Sequence, residues 1–300
     1  MTRRADREPA SGWVVAANPS AGSVDDSALG RAVVRLARDG PVRVRHTDGP
    51  EGVVSVAHEL PDSRLVIFGG DGTISSAVDR LIDAGLGDRP LGVLPGGTGN
   101  DFVRAIGLPT EVGAATDLLV DSRPRKLSAL RVAERFGINV CHAGLGAAAA
   151  RTASGLKARL GPFAYPVGAG LSGVRQSAWT ARITADGEQL TDGELLMVAM
   201  ALGRTIGGGT DLTSRSSVTS ATADLLVSEG ASALARARLG AALLRDDPRQ
   251  TRAVDHIQAT QVRIESEEPI PVNLDGEDLG DQTDVTVKVV EEAWTVLAPR

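Results

Sequence analysis

The sequence predicts an α/β N-terminal domain, with a doubly wound and mainly parallel sheet, followed by a β-rich antiparallel C-terminal domain. Three observations predict this. Between residues 12 and about 125, short apolar runs alternate with amphipathic stretches of helical period, the pattern of βαβ units. Several of those runs end in clusters of Gly, Asn and Asp, the residues expected where a strand turns into a helix. Beyond Pro124 the pattern changes to short strands with hairpin signals such as Asp186-Gly187. A length of 300 residues suits two domains, and 42% hydrophobic with 23% charged residues is the make-up of a globular chain.

The elements follow in order. Residues 12–17 are an apolar strand closed by Asn18-Pro19-Ser20-Ala21-Gly22. A helix follows, with Leu29, Val33 and Leu36 on one face, Asp25 and Asp26 in its first turn and Gly40 at its end. Val42 and Val44 alternate with arginines as a second strand, and Val53, Val54, Ala57 and Leu60 mark a second helix. Residues 65–68 form a third strand. It runs into Gly69-Gly70-Asp71-Gly72-Thr73 and a helix that turns Ile74, Ala77, Val78, Leu81 and Ile82 inward. Residues 91–94 form a fourth strand, running into Pro95-Gly96-Gly97-Thr98-Gly99-Asn100-Asp101. In the second half, 129–132 and 137–140 read as a strand pair, and 180–185 with 188–190 as a hairpin. Further strands are expected at 195–202, 223–228, 261–265, 270–274 and 285–289, with helices near 162–177 and 231–244. The domain limits read as a charged tail (1–10), the α/β domain (11–126), the β-rich domain (127–292) and a last segment (293–300) that packs back on the first domain.

Composition excludes several functions. Lys126, Lys157 and Lys288 are the only lysines, against 29 arginines, and none follows a glycine, so there is no Walker A loop. The Val-Ala-x-Lys of a protein kinase is absent as well. A net charge of -6 without a long basic block argues against nucleic acid as a partner. The single cysteine, Cys141, excludes an internal disulfide and any multi-cysteine metal site. The charged first ten residues lack the apolar stretch of a secretory signal, and no apolar run reaches the roughly 20 residues of a membrane span. These features together predict a soluble, cytoplasmic protein, with peripheral contact at the inner membrane surface left open. His46, His58, His142 and His256 share no ligand spacing and read as surface or core histidines. Gly144-Leu145-Gly146 reads as a close-packing segment rather than a dinucleotide loop. The arginine-bearing helix at 231–244 could rest on an anionic surface, although a core-facing role is the better reading.

The glycine-rich loops carry the chemistry. In an open parallel sheet, ligands bind beyond the carboxyl ends of the strands. Glycines there let backbone N–H groups approach an anion, and helix N-termini add partial positive charge. Such a set can hold a triphosphate without lysine. Asp71 and Asp101 are then placed to bind Mg²⁺ or its waters, because hard cations prefer oxygen ligands. Each loop alone could be an ordinary strand-to-helix turn; three in register weigh against that.

Asn18-Pro19-Ser20-Ala21-Gly22, Gly69-Gly70-Asp71-Gly72-Thr73, Gly96-Gly97-Thr98-Gly99-Asn100-Asp101-Phe102 and Asp275-Gly276-Glu277, in this order, resemble the diacylglycerol kinase catalytic-domain family. The likeness runs along nearly the whole chain and includes Gly207-Gly208-Gly209 and the 157–165 segment. Gly-Gly-Asp-Gly is shared with NAD kinases, whereas the ordered set of four is specific. The resemblance implies an α/β domain like those of NAD and diacylglycerol kinases and a second domain that is a β-sandwich. It also implies Mg²⁺-dependent transfer of the ATP γ-phosphoryl group to a lipid hydroxyl, with diacylglycerol or a related neutral lipid as acceptor. By motif, Asn18, Thr47, Gly69, Gly70, Asp71, Gly72, Thr73, Gly97, Thr98, Asn100 and Asp101 would surround the nucleotide. Asp71 and Glu277 would be catalytic, with Glu277 as general base; the Asp275-Gly276 pair by itself reads as a hairpin turn. Partners would be the nucleotide, the lipid and a membrane surface; a homodimer is left open.

The chain departs from the family pattern at four places. Ser76 and Asp79 stand where the family has Glu and Asn, Ser128 where it has an Asp, and Ser220-Ala221 where it has the Asp-Gly pair of a structural Mg²⁺ site. A neutral hydroxyl is a weaker ligand than a carboxylate, so no structural Mg²⁺ is assigned. Two readings follow: an active lipid kinase, and a degenerate member that binds nucleotide or lipid without turnover. A third, an NAD kinase, ranks below them because Asn18-Pro19 and Pro95-Gly96-Gly97-Thr98 fit the lipid-kinase pattern better.

Overall fold

The computed structural model describes residues 12–18, 26–144, 147–148, 178–203, 205–206, 210–211, 217–229 and 254–300. The tail 1–10, most of the 18–22 motif, the 157–165 segment, the helices expected at 162–177 and 231–244, and Gly207-Gly208-Gly209 lie outside these residues. The chain divides into two compact units. One holds residues up to Arg125 together with Trp294–Arg300, and the other holds Lys126–Ala293.

The first unit is built on parallel strands. β1 (Trp13–Ala17) pairs with β2 (Val42–His46) on one side and β3 (Arg64–Gly69) on the other, and β3 pairs with β4 (Leu91–Pro95). The end of the last strand adds to β4 through Val296 opposite Leu91. Helices α1 (Asp26–Leu36), α2 (Pro50–Glu59), α3 (Asp71–Asp83), α4 (Asp101–Ala105) and α5 (Val112–Val120) connect them. Ala28, Leu29, Ala32 and Leu36 of α1 and Ala115 and Leu119 of α5 pack on Trp13, Val15, Phe68 and Leu94. This apolar face explains the 3.6-residue spacing read from the sequence. Val42 and Val44 reach the same core, while Arg43 and Arg45 point outward from the edge strand. At the amino ends of the strands, the Trp13 indole N–H donates to Asp39 (3.2 Å), and the Arg64 guanidinium lies 3.7 Å over the Trp13 ring while pairing with Asp39 (2.5 Å). Arg89 donates to the carbonyls of Leu60 (2.7 Å) and Ser63 (2.8 Å) just beyond α2, where terminal carbonyls lack helical partners. α5 starts on Glu111, whose carboxylate accepts from the Gly113 and Ala114 N–H groups, and these bonds hold its carboxyl below the ordinary value.

The second unit is antiparallel. It begins in β5 (Arg123–Val132) and includes β6 (Arg135–Gly137), β7 (Val140–Gly144), β8 (Trp179–Ala185), β9 (Glu188–Ala201), β10 (Thr205–Ile206), β11 (Thr210–Asp211), β12 (Ala223–Glu229), β13 (Val254–Ala259), β14 (Gln261–Leu274) and β15 (Glu277–Ala298). β9 and β14 each serve two sets of partners. β9 pairs with β8 over its first half and with β7 and β12 over its second, and β14 pairs with β8, then β7, with β15 alongside. Register shifts near Ser228 and between Glu265 and Ile270 bend these ladders. Among the described residues, one core lies around Leu130, Cys141, Ile183, Met200, Leu225 and Val272, and a smaller cluster holds Val140, Leu196, Ala199 and Leu226.

Several details differ from the sequence reading. The strand pair expected at 129–132 and 137–140 is a hairpin of β5 with β6, turned at Ala133 with φ 51°, and residues 138–139 break the chain before β7. Residues 188–190 and 195–202 form one strand, as do 261–265 and 270–274, because bulges carry the chain through without a turn. β13 had no clear alternation in the sequence. The Asp186-Gly187 hairpin is present, with φ 48° and 88°, the left-handed pair such a turn requires. Gly144 packs as read: a Cβ there would stand 2.6 Å from the Leu196 carbonyl oxygen.

Candidate functional site

Parallel register brings the carboxyl ends of four strands to one edge of the first unit. Ala17 lies beside His46 and Phe68, and Phe68 beside Leu94, so Asn18, Thr47, Gly69 and Pro95 follow in a row. Thr47 is buried, its N–H donates to the Ala17 carbonyl (2.9 Å), and its side chain packs against Gly52. The Gly69-Gly70 and Gly96-Gly97 segments touch backbone to backbone. The Gly96 N–H donates to the Gly69 carbonyl (2.8 Å), and a Cβ on Gly97 would stand 2.6 Å from the Gly70 Cα. Glycine is therefore demanded here by the meeting of the two loops, before any ligand is considered.

Asp71, Gly72 and Thr73 were read as loop residues, but they form the first turn of α3, whose N-cap Gly70 supplies no side-chain bond. The N-cap of this 13-residue helix, a glycine, thus offers its first N–H groups no side-chain acceptor of its own. Gly72 differs from its neighbours: among the described residues nothing outside its own helix backbone lies within 4 Å of where its Cβ would be. A glycine at the N-cap and a second glycine two residues on suit close approach of an anion to a helix start.

Asp71 reaches from α3 to α4 and accepts the Phe102 N–H (2.9 Å). Burial pushes its carboxyl above the ordinary value, with the neighbouring Asp101 charge adding to this and backbone N–H bonds and Arg104 opposing it. Asp101 is itself buried and pairs with Arg104 at 2.6 Å, one helical turn along. Asn100 sits in the left-handed region (φ 53°). Its amide closes a ring on Gly97, accepting from the Gly97 N–H (3.0 Å) and donating to its carbonyl (2.7 Å). Its side chain is therefore engaged in shaping the loop. Thr98 is exposed and Thr73 is partly so.

Among the described residues no cluster of three or more His, Cys, Asp or Glu side chains could hold a metal ion. Two interacting carboxylates, one of them desolvated, still fit a hard cation that takes its other ligands from phosphate oxygens and water, the habit of Mg²⁺. The structural Mg²⁺ of the resemblance does not fit. The Ser128 hydroxyl donates to the Ser220 carbonyl (2.8 Å) and the Ser128 N–H to the Val218 carbonyl (2.8 Å). Ser220 and Thr222, and Ser217 and Thr219, pair through their hydroxyls. The two serines flagged as departures therefore meet, and neutral hydrogen bonds close the loop.

In the second unit, Asp275-Gly276 (φ 51° and 93°) turns β14 into β15, so the hairpin reading of this pair holds. Glu277 begins β15 and forms an ion pair with Arg135 of β6. The Asp275 carboxylate accepts from the N–H groups of Ile138 (2.5 Å), Asn139 (3.0 Å) and Val140 (2.7 Å). Asn273 accepts the Gly276 N–H (2.9 Å). Arg135 and Asn273 were missed from the sequence. No spacing links Arg135 to a residue 142 positions away, whereas the i,i+3 spacing of Asp101 and Arg104 could have been read. Nearby, burial pushes the Cys141 thiol up to about 12 and the His142 imidazole down to about 4, so both stay neutral at ordinary pH. His142 Nδ1 has no hydrogen-bond partner among the described residues.

The chain is similar to known proteins over most of its length. Residues 12–132 match the family model of the diacylglycerol kinase catalytic domain. Residues 139–298 match the model of the YegS C-terminal NAD kinase beta sandwich-like domain. A protein named as a probable YegS-like lipid kinase from Chromohalobacter salexigens is 30% identical over 235 residues, covering 77% of this chain and 75% of that one. A diacylglycerol kinase of Bacillus subtilis is 32% identical over 217 residues, covering 71% and 70%. In fold, a diacylglycerol kinase crystal structure from Bacillus anthracis superposes with a TM-score of 0.76 at 23% identity, over 96% of this chain and 97% of that one. An ATP complex of an NAD kinase from Archaeoglobus fulgidus shares the fold more distantly, with a TM-score of 0.52 at 11% identity. With both domain models matched in order and relatives aligned over most of their length, the chain belongs to the diacylglycerol kinase catalytic-domain family, with a second domain of the YegS type.

Proposed function

We propose that the protein is an ATP-dependent lipid kinase that phosphorylates a hydroxyl of diacylglycerol or a related neutral lipid. The observation that carries this is the glycine N-cap of α3, with Gly72 unobstructed among the described residues and Asp71 desolvated, at the carboxyl edge of a parallel sheet in a family whose relatives are named as lipid kinases. In this reading the phosphates take N–H groups from residues 70–73 and 96–98, and Thr73 and Thr98 offer hydroxyls. Asn18 and Thr47 flank the nucleotide. Asp71 and Asp101 would hold Mg²⁺, which when bound neutralises phosphate charge. The acceptor oxygen attacks the γ-phosphorus, the bond from that phosphorus to the β–γ bridging oxygen breaks, and ADP leaves. Glu277 takes the hydroxyl proton. A protein of this kind would work in the cytoplasm and meet its lipid at the inner membrane surface. No helix among the described residues is long and apolar enough to cross a bilayer.

One observation favours a second reading. Ser128 and Ser220 bond to each other where the family pattern has acidic residues, and Asp101 is paired with Arg104, so the acidic network is thin. A degenerate member would bind nucleotide or lipid without turnover. Labelled ATP with Mg²⁺ and a panel of diacylglycerol, monoacylglycerol, ceramide and sphingoid bases in mixed micelles separates the two. The kinase reading expects phosphate in one of the lipids, and Glu277→Gln should lower turnover roughly 10²-fold or more with ATP affinity kept. ATP binding without product from any of the lipids supports the degenerate member instead.

A further inference from the structure

We infer that Arg135 and Asp275 are positioning residues for Glu277, and that the β5–β6 hairpin exists in part to aim that carboxylate; this rests on the reading of Glu277 as the general base. Glu277 is the first residue of β15, at a hairpin tip, and its side chain is 51% exposed. A glutamate so placed has three free torsions and samples many rotamers, which lowers the fraction of time it can meet an acceptor proton. The Arg135 guanidinium removes that freedom. It comes from β6, the return strand of a separate hairpin, and hydrogen-bonds the Glu277 carboxylate.

The pairing works only if the two hairpins are fixed to each other, and Asp275 does this. Its carboxylate gathers three consecutive backbone N–H groups, from Ile138, Asn139 and Val140, while its own N–H donates to the Val140 carbonyl (2.9 Å). Successive N–H groups converging on one carboxylate form a nest, which is rigid because backbone donors bring little torsional freedom. The approach is close: a Cβ on Gly137 would stand 2.5 Å from Leu274 Cδ1. The segments 135–140 and 273–277 thus form one clamp, in which Asp275 sets the hairpins and Arg135 sets the carboxylate. The Asp of Asp-Gly-Glu is therefore more than a turn former, and the turn alone does not account for its side-chain bonds.

The test compares Arg135→Met, Arg135→Lys, Glu277→Gln and the Arg135→Met/Glu277→Gln double variant, with dioctanoylglycerol and the other panel lipids in mixed micelles. Arg135→Met should lower kcat about 10- to 100-fold, with KM for ATP within roughly twofold of the parent. Arg135→Lys should recover most of the loss, and the double variant should be no slower than Glu277→Gln alone. Parent-like kcat in Arg135→Met, with Glu277→Gln inactive, overturns the positioning role and leaves the base assignment standing. Parent-like turnover in Glu277→Gln, or no product from any lipid with the parent protein, overturns the base assignment, and the positioning role goes with it. Hydrogen exchange on the parent protein tests the clamp without activity. The Ile138, Asn139 and Val140 amides should be protected and should lose protection in Asp275→Gly, which removes the carboxylate and tolerates the left-handed turn. Rapid exchange of these amides in the parent overturns the anchoring.

Discussion

Asp71 shows how a single side chain can serve a site at the expense of the fold. Its carboxyl is desolvated and faces Asp101, and its folded value lies above the ordinary one, so the folded state holds the proton more tightly than the unfolded state. The sign follows from this. Its favourable contribution is complete below the unfolded value, about 3.9, and is lost as pH rises through the folded value, so at neutral pH the charge is a net cost. Asp71→Asn keeps an oxygen to accept the Phe102 N–H and removes the charge. Its Tm at pH 7 should therefore equal or exceed that of the parent, with the gap closing near pH 4. Its affinity for Mg²⁺-ATP should fall ten- to a hundredfold, the effect of a lost charge-assisted contact of about 1.5–3 kcal/mol. Scanning calorimetry and titration calorimetry read the two effects separately. A lower Tm with unchanged affinity would reverse the assignment and make Asp71 a structural cap for α4.

Loops and hairpins in this chain are closed by short-range polar bonds whose donors and acceptors come from distant sequence. The 217–222 loop is the clearest case, since the hydroxyl of Ser128 reaches across 92 positions to the Ser220 carbonyl. Ser128 is 3% exposed, so its removal leaves a carbonyl without that donor in a place water reaches poorly. Ser128→Ala should cost about 1–2 kcal/mol in denaturant unfolding. Because the loop is closed by neutral groups, that cost should be the same in Mg²⁺ and in chelator. A Mg²⁺-dependent cost would mean that a cation shares the loop. The glycine loops of the first unit show the converse. Gly70, Gly96 and Gly97 are required by loop-to-loop contact and Gly69 by the Thr73 side chain, whereas among the described residues nothing crowds Gly72, the glycine that contact leaves unexplained.

At the scale of the whole molecule, the first unit is completed by the last residues of the chain. Trp294 is buried, its ring centroid lies 5.4 Å from that of Phe102, and Val296 pairs with Leu91 beside β4. Phe102 in turn donates its N–H to Asp71, so Trp294 packs against a residue that holds the candidate site. Deleting 294–300 should lower Tm by several degrees or more, since removing one buried Trp alone costs about 3–5 kcal/mol, and should weaken ATP binding with it. A truncated chain with parent Tm would show that the strand is dispensable. The sequence by itself determined the βαβ alternation, the change of pattern near residue 126, the hairpin turns at 186–187 and 275–276, and the motifs of the family. These depend on local periodicity and on glycine and asparagine chemistry, which act over a few residues. Only the tertiary structure decided which residues serve those motifs: Arg135 beside Glu277, Asp275 on the 138–140 amides, Ser128 on Ser220, and Asn100 turned inward on its own loop. Most of these pairings join positions brought together by strand register, which no local pattern encodes, and the Asn100 ring depends on a left-handed backbone that composition alone does not specify.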